Sequence, residues 1–352
     1  MSDLAPGLAS GPDKVTRRDC MRVSLGLGAV ALLPGASAKP LALQWRERAL
    51  VGLGTTLSLR AGHADGARAD AALDAAAAGI RHVEQQMSLF IADSALCRLN
   101  RDGVLLQPHP DLVQIFKLAQ QVSQKSQGAF DVTVQPLWQV WQKARQAGHL
   151  PSAAEVHSAV ARVGWQHLQV SQQRIRFAQP HMAATLNGIA QGFASDLARA
   201  ALESSGIEHA LIDTGEWSAL GSGPQQSTWT LGVAHPRQPQ ALIAKLGMVQ
   251  GAMATSSDVP YRFGSDDTHH HIFDPKTGYS PREVASVTVL AGSCALADAL
   301  TKVMFMGSPA RALALAKLWQ VDLLVVDKAG KWLATDGLRA RLLPLMAGAA
   351  RG

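Results

Sequence analysis

Apolar residues along this chain keep two spacings, and the alternation between them predicts the elements. In residues 110–127 Leu112, Ile115, Phe116, Ala119 and Val122 recur at helical spacing, with Asp111 near the start and Gly128 at the stop. Residues 188–205 place Ile189, Phe193, Leu197 and Ala201 on every fourth position and end at Gly206. An Ala-rich stretch over 67–87 and the segments 295–306 and 309–318 complete the predicted helices. Short alternating or apolar runs at 49–60, 167–170, 174–177, 210–213, 228–234, 242–248, 284–290 and 322–326 read as strands. These strands cluster in twos and threes and do not alternate one for one with helices. The pattern therefore predicts an α+β fold, with mixed, largely antiparallel sheets packed against helices. No internal repeat, low-complexity run or linker interrupts it, so residues 39–352 are expected to form a single domain.

The chain's start has a separate character. Thr16-Arg17-Arg18-Asp19 precedes an apolar run over 23–33 and then Ala36-Ser37-Ala38, a small-residue cleavage site. Residues 1–38 thus look like a twin-arginine export signal, which places the mature protein in the periplasm. The apolar run is far shorter than the roughly 20 residues a membrane helix needs, and no later run reaches that length. With 33 Lys and Arg against 27 Asp and Glu, the formal net charge is +6. That mild excess is spread along the chain without interleaved aromatics, which argues against a nucleic-acid partner and suits a small anionic ligand. Cys20 falls in the leader, so Cys97 and Cys294 remain, too few for a disulfide scaffold or a cysteine metal cluster. Two free thiols are expected in preference to a bridge.

Several segments carry candidate chemistry, each with a plainer alternative. Asn187-Gly188-Ile189-Ala190-Gln191-Gly192 opens a predicted helix with two glycines, where free N–H groups and the helix dipole favour a phosphate. The same glycines also suit close packing against a neighbouring element. Asp298 and Thr301 stand three apart and share a helix face, a partial shell for Mg²⁺; Asp298 paired with Lys302 is the alternative. In His269-His270-His271 successive residues cannot all face one side, so at most His271, or His269 with His271, points into a site. A histidine there suits a general base. Phe130, in Gly128-Ala129-Phe130-Asp131, is placed either to stack on a flat ring or to fill the core.

Taken together, ordered blocks along the chain resemble one family, the ApbE-like FAD:protein FMN transferases. The blocks are Leu53-Gly54-Thr55-Thr56, MSLFIADSALCRLNR from Met87, GAFDVTVQPLW from Gly128, LNGIAQGFASD from Leu186, IDTGEWSALG from Ile212, ATSSD from Ala254, HIFDPKTG from His271, and the SVTV and ADAL runs that follow. The resemblance implies an α+β fold and a Mg²⁺-dependent reaction. FAD is cut at its pyrophosphate, FMN passes to a threonine hydroxyl of a partner protein, and AMP leaves. By motif position it puts FAD near Leu53, Phe90, Ala129, Phe130, Asp131, Thr185, Gln191 and Ile272, with Thr255 and Ser256 as hydroxyl donors. Mg²⁺ falls to the Gly188 carbonyl, Asp298 and Thr301, and His271 matches the catalytic histidine.

Three departures stand out. Thr185 replaces an Asp common in the family, Asn187 and Gln191 replace Gly and Lys or Glu, and Lys302 stands four after Asp298 where a threonine is usual. They resemble members linked to nitrous-oxide respiration, which implies as acceptor a flavoprotein subunit of a membrane respiratory complex facing the periplasm. Two other functions are compatible with the same blocks. One is hydrolysis of FAD to FMN and AMP; the other is a periplasmic FAD-binding assembly factor without turnover.

Overall fold

The computed structural model describes residues 42–259, 261–264 and 268–344; the export signal read at 1–38 lies outside them. The described chain opens with a hairpin. Strand β1 (Gln44–Gly52) pairs antiparallel with β2 (Thr55–His63), in register from Gln44 opposite His63 to Gly52 opposite Thr55. The apolar run at 49–60 predicts one strand where the structure has two. The reversal lies in Leu53 and Gly54, both left-handed at φ 51° and 79°, the two-residue turn whose twist matches that of the strands. Leucine is an unusual residue for that position, which hides the turn. Its N–H donates to Glu84 Oε1 at 2.7 Å.

Helix α1 (Gly66–Met87), capped by Asp65, is followed by α2 (Ala95–Asp102), β3 (Val104–Leu106) and α3 (Pro110–Lys125). Next come α4 (Gln135–Gln146), α5 (Ala153–Val160), β4 (Leu168–Val170) and β5 (Arg174–Phe177). Helix α6 (Ala190–Ser204) leads to β6 (His209–Asp213), β7 (Trp217–Leu220), β8 (Trp229–His235), β9 (Gln238–Met248) and β10 (Gly251–Ser257). The chain continues through β11 (Val284–Ala291), α7 (Cys294–Phe305), α8 (Pro309–Trp319) and β12 (Asp322–Asp327). It closes with β13 (Trp332–Ala334), α9 (Asp336–Arg339) and β14 (Leu342–Leu343).

Eight strands form one sheet in the order β1-β2-β6-β7-β10-β11-β12-β13, and every pairing in it is antiparallel. Two three-stranded sheets, β14-β9-β8 and β3-β5-β4, are antiparallel as well. The mixed α+β class expected from the pattern is what the described residues adopt.

The centre of the large sheet is covered on both faces. Val287 and Val289 of β11 and Leu323 and Val325 of β12 join the main core with α1, α6 and α7, while Leu290, Leu324 and Val326 face the β8–β9 hairpin. This period-two split is what a pleated strand buried on both sides requires. A third cluster, Leu137, Trp141, Val156, Ala159, Phe263 and Phe273, lies between the α4–α5 pair and the segment leading to His271. Cys97 and Cys294 are both free, and among the described residues no helix is long and apolar enough to cross a membrane.

Helix α7 is buried nearly all round, and its start is fixed from α6. Asp196 accepts from Ser293 Oγ at 2.7 Å and from the N–H groups of Cys294 and Ala295 at 2.7 and 2.9 Å. A carboxylate at a helix N-terminus satisfies otherwise orphaned donors and complements the dipole. The cap sets the height of Asp298, Thr301 and Lys302 beneath the sheet.

Candidate active-site cleft

A cleft of about 540 Å³ opens where these units meet, lined from five directions. Ala129, Phe130 and Asp131 come from the turn after α3; Thr185, Gly188 and Gln191 from the approach to α6. Thr255 and Ser256 come from β10, and His271 and Ile272 from the irregular segment before β11. Lys302 reaches in from α7. Ten residues predicted for the site therefore share one wall. Asp298 and Thr301 lie just beneath it: Ser256 Oγ is 2.7 Å from Thr301 Oγ1, and Lys302 Nζ pairs with Asp298 Oδ1. Leu53 borders the cleft through its carbonyl, which accepts from Gln191 Nε2 at 3.4 Å. Phe90 is not brought in: it is 86% exposed in the loop between α1 and α2 and forms no part of the wall.

The two glycines of the predicted helix opening separate in role. Helix α6 begins at Ala190, because Ile189 is non-helical at φ −155° and ψ −20°. Gly188 thus lies in the preceding turn and lines the cleft, where a Cβ would stand 3.2 Å from Lys302 Cε. Gly192 sits inside α6, and a Cβ there would overlap the Cys294 carbonyl of α7. One glycine gives backbone access to the cleft; the other permits helix contact.

His271 is held by its neighbours in a defined state. Its N–H donates to the Tyr261 carbonyl at 3.1 Å and its Nδ1 lies 3.3 Å from the same oxygen. Since a carbonyl only accepts, Nδ1 carries the ring proton and Nε2 keeps the lone pair. Burial lowers the His271 pKa, more than the Tyr261 carbonyl raises it, and the nearby Lys302 charge lowers it further. The ring is neutral at pH 7. The adjacent His270 faces the interior, with Nε2 3.2 Å from the Pro281 carbonyl and its ring against Phe305, while His269 lies against Trp141. The three histidines diverge, as their succession requires.

Asp131, expected to touch ligand, works chiefly as a clasp. Its Oδ1 accepts from Thr133 N and Oγ1 at 2.8 and 2.7 Å, and Oδ2 accepts from Trp165 N at 2.9 Å. Burial raises its pKa despite those three donors. Thr185 N donates to the Val132 carbonyl at 2.7 Å, tying the same turn to the segment that carries Gly188.

Two further features of the site take their meaning from the fold; the sequence leaves Asp213-Thr214-Gly215-Glu216 as either a ligand-facing strand end or a simple turn. Glu216, buried in the turn just before β7, accepts from Thr255 N at 2.9 Å, and its pKa is pushed well above the ordinary carboxylate value by burial and then by the Asp298 charge. Trp138 and Tyr261 line the cleft with ring centroids 4.8 Å apart, beside Phe130 and Phe273. Glu216 and Trp138 fall inside the IDTGEW and VQPLW blocks, so their positions are in view. Only the fold reveals which way they face.

The donors around Asp298 suit a hard cation. The set is all oxygen, with the two buried acids Glu216 and Asp298 close enough for the Asp298 charge to act on Glu216, and a single ammonium beside them. Lys302 is the competitor, since its amine now pairs with Asp298 Oδ1, while Oδ2 accepts from Gly192 N at 3.3 Å.

Comparison with known proteins places this architecture. The family model described as the ApbE family matches residues 53–325. The chain is similar to the FAD:protein FMN transferase of Vibrio cholerae serotype O1, at 30% identity over 259 residues, covering 71% of this chain and 77% of that protein. Among solved structures it resembles the flavin transferase ApbE from Vibrio cholerae, with TM-score 0.74 and 25% identity over 85% of this chain and 100% of that one. The ApbE protein from Thermotoga maritima MSB8 superposes with TM-score 0.77 and 26% identity, over 86% and 100%. With a family model spanning most of its length and relatives of the same fold, the chain belongs to the ApbE family.

Proposed function

We propose that the cleft binds FAD and that the chain is an FAD:protein FMN transferase, passing FMN to a threonine hydroxyl of a partner protein. The observation that carries this reading is the meeting of Ala129–Asp131, Thr185, Gly188, Gln191, Thr255, Ser256, His271 and Ile272 in one cleft. The aromatic side formed by Trp138, Tyr261, Phe130 and Phe273 suits the flat tricyclic ring. The backbone at Gly188 and the hydroxyls of Thr255 and Ser256 suit the pyrophosphate.

In the transfer the acceptor oxygen attacks the phosphorus on the flavin side of the pyrophosphate. The new bond joins that oxygen to phosphorus, the bridging P–O bond breaks, and the bridging oxygen leaves with AMP. The acceptor proton passes to His271 Nε2, the free lone pair of a neutral ring. Such chemistry is mainly positioning and charge neutralisation. Lys302 supplies a fixed positive charge at the phosphate end. Mg²⁺, which relatives of this kind are expected to use, would be held by Asp298, Thr301 and the Gly188 carbonyl, and would further neutralise phosphate charge when bound. The leader is proposed to export the enzyme to the periplasm, where the acceptor is a flavoprotein subunit of a membrane respiratory complex.

Purified protein incubated with FAD, Mg²⁺ and a threonine-bearing acceptor domain is expected to release AMP and yield a fluorescent acceptor heavier by one FMN. His271→Asn should lower the transfer rate about 10²- to 10⁴-fold, the range for loss of a general base, with FAD affinity kept. AMP release at full rate without any acceptor would replace transfer by hydrolysis, and an unlabelled acceptor with no AMP would leave only flavin binding.

A further inference from the structure

Outside the cleft, α1 and the start of α3 bring together three groups that the transfer does not use. His82 Nε2 and His109 Nδ1 are 3.3 Å apart, His82 Nε2 and Asp111 Oδ2 are 3.3 Å apart, and His109 Nδ1 and Asp111 Oδ2 are 3.4 Å apart. The triangle is nearly equilateral. A tetrahedral ion with bonds of about 2.0–2.1 Å to nitrogen and oxygen spans ligand edges of about 3.3 Å, whereas adjacent ligands of an octahedral ion at such bond lengths stand only about 3.0 Å apart. We propose that His82, His109 and Asp111 form a Zn²⁺-class metal site that clips α1 to the start of α3, with a fourth position open to water.

Proton placement supports a cation at the centre. The Asp111 N–H donates to His109 Nδ1 at 3.2 Å, so that nitrogen carries no proton. The same nitrogen lies 3.4 Å from the Asp111 carboxylate oxygen, so a cation bound there replaces the amide bond and separates two acceptors. Without metal, a single proton on His82 Nε2 must serve both acceptors at 3.3 Å, long for hydrogen bonds. Binding of the ion through Nε2 shifts that proton to His82 Nδ1, so the ring stays a neutral imidazole, and sets up three bonds of ordinary length. Two terms oppose it: the positive end of α3, offset by Asp111 itself, and loss of the amide bond to His109. The side chains of His82, His109 and Asp111 are 31%, 44% and 24% exposed, so an ion has access. The neutral-imidazole and carboxylate set favours zinc among available divalent ions over Mg²⁺ or Ca²⁺.

The test uses the untagged full chain, stripped with chelator and titrated with Zn²⁺ against a chromogenic competitor, with Co²⁺ as a spectroscopic substitute. One equivalent of Zn²⁺ is expected, together with the intense visible Co²⁺ bands of four-coordinate geometry. His82→Ala and Asp111→Asn should each weaken Zn²⁺ by more than about tenfold and erase those bands, as expected for loss of a ligand. His157→Ala, at an exposed position on α5, should change neither. Because His109→Ala would also remove the α3 cap, the ligand variants used are the other two. Zinc should also raise the thermal midpoint of the parent and leave that of His82→Ala unmoved. Equal Zn²⁺ affinity in the parent and His82→Ala, or Co²⁺ bands of octahedral type, would overturn the proposal.

Discussion

The pairing of Lys302 with Asp298 makes the metal dependence of this chain a matter of one side chain. The amine lies against the carboxylate oxygen that a cation would use, and its stem crosses the cleft floor beside Gly188. Replacing Lys302 with Thr frees that oxygen and removes the ammonium that acts on Glu216 and Asp298. Lys302→Thr is therefore expected to bind Mg²⁺, or Mn²⁺ read by electron paramagnetic resonance, about tenfold or more tightly than the parent, a difference of about 1.4 kcal/mol. Unchanged ion affinity would show that the amine does not compete. The Asp298–Lys302 spacing is legible in the sequence because i and i+4 residues share a helix face. The burial of Asp298 is not, because it depends on β10 and β11 packing over α7. His271 is likewise legible from its block, whereas motif position points Phe90 inward and the side chain stands in solvent.

At the scale of elements, the contact between α6 and α7 carries the geometry of the cleft floor. Gly192 lets α6 approach the Cys294 carbonyl, and Asp196 from the next turn caps α7. An alanine at 192 gains helix propensity of about 1 kcal/mol but forces the helices apart. Overpacking of this kind outweighs the gain, so Gly192→Ala should lose about 1–3 kcal/mol, read as a lower urea midpoint. Because α7 carries Asp298, the same variant should also weaken flavin transfer. A variant as stable as the parent would mean that the helices separate freely. The sequence leaves two meanings open for this Gly-x-x-x-Gly pair, and the backbone divides them, one glycine to each. Periodicity finds the long helices to within a residue or two. It misses α4 and α5, which pack through Leu137, Trp141, Val156 and Ala159 on a satellite cluster, and it merges β1 with β2 because leucine occupies a left-handed turn position.

For the molecule as a whole, strand order is beyond reach of the pattern, since β2 beside β6 and β7 beside β10 join segments far apart in sequence. In the segment that delivers His271, His270 is completely buried against Phe305, Ser280 and the Pro281 carbonyl. Burial lowers its pKa from 6.5 to about 4, so the folded protein holds the ring neutral while the unfolded chain takes up a proton first. Stability contributed by the neutral ring is thus fully present above pH 6.5 and is lost progressively as pH falls towards 4, by up to about 3 kcal/mol. Asp258 acts in a lower window. Burial raises its pKa, but the bidentate Arg237 and the Lys328 amine outweigh that and hold it below the ordinary carboxylate value. Its contribution persists through the histidine window and is lost only in stronger acid. Urea midpoints between pH 7 and pH 4.5 should therefore fall more steeply for the parent than for His270→Gln, which cannot take up the proton. Parallel slopes would mean that the buried ring does not set the acid sensitivity of the segment on which the catalytic histidine rides.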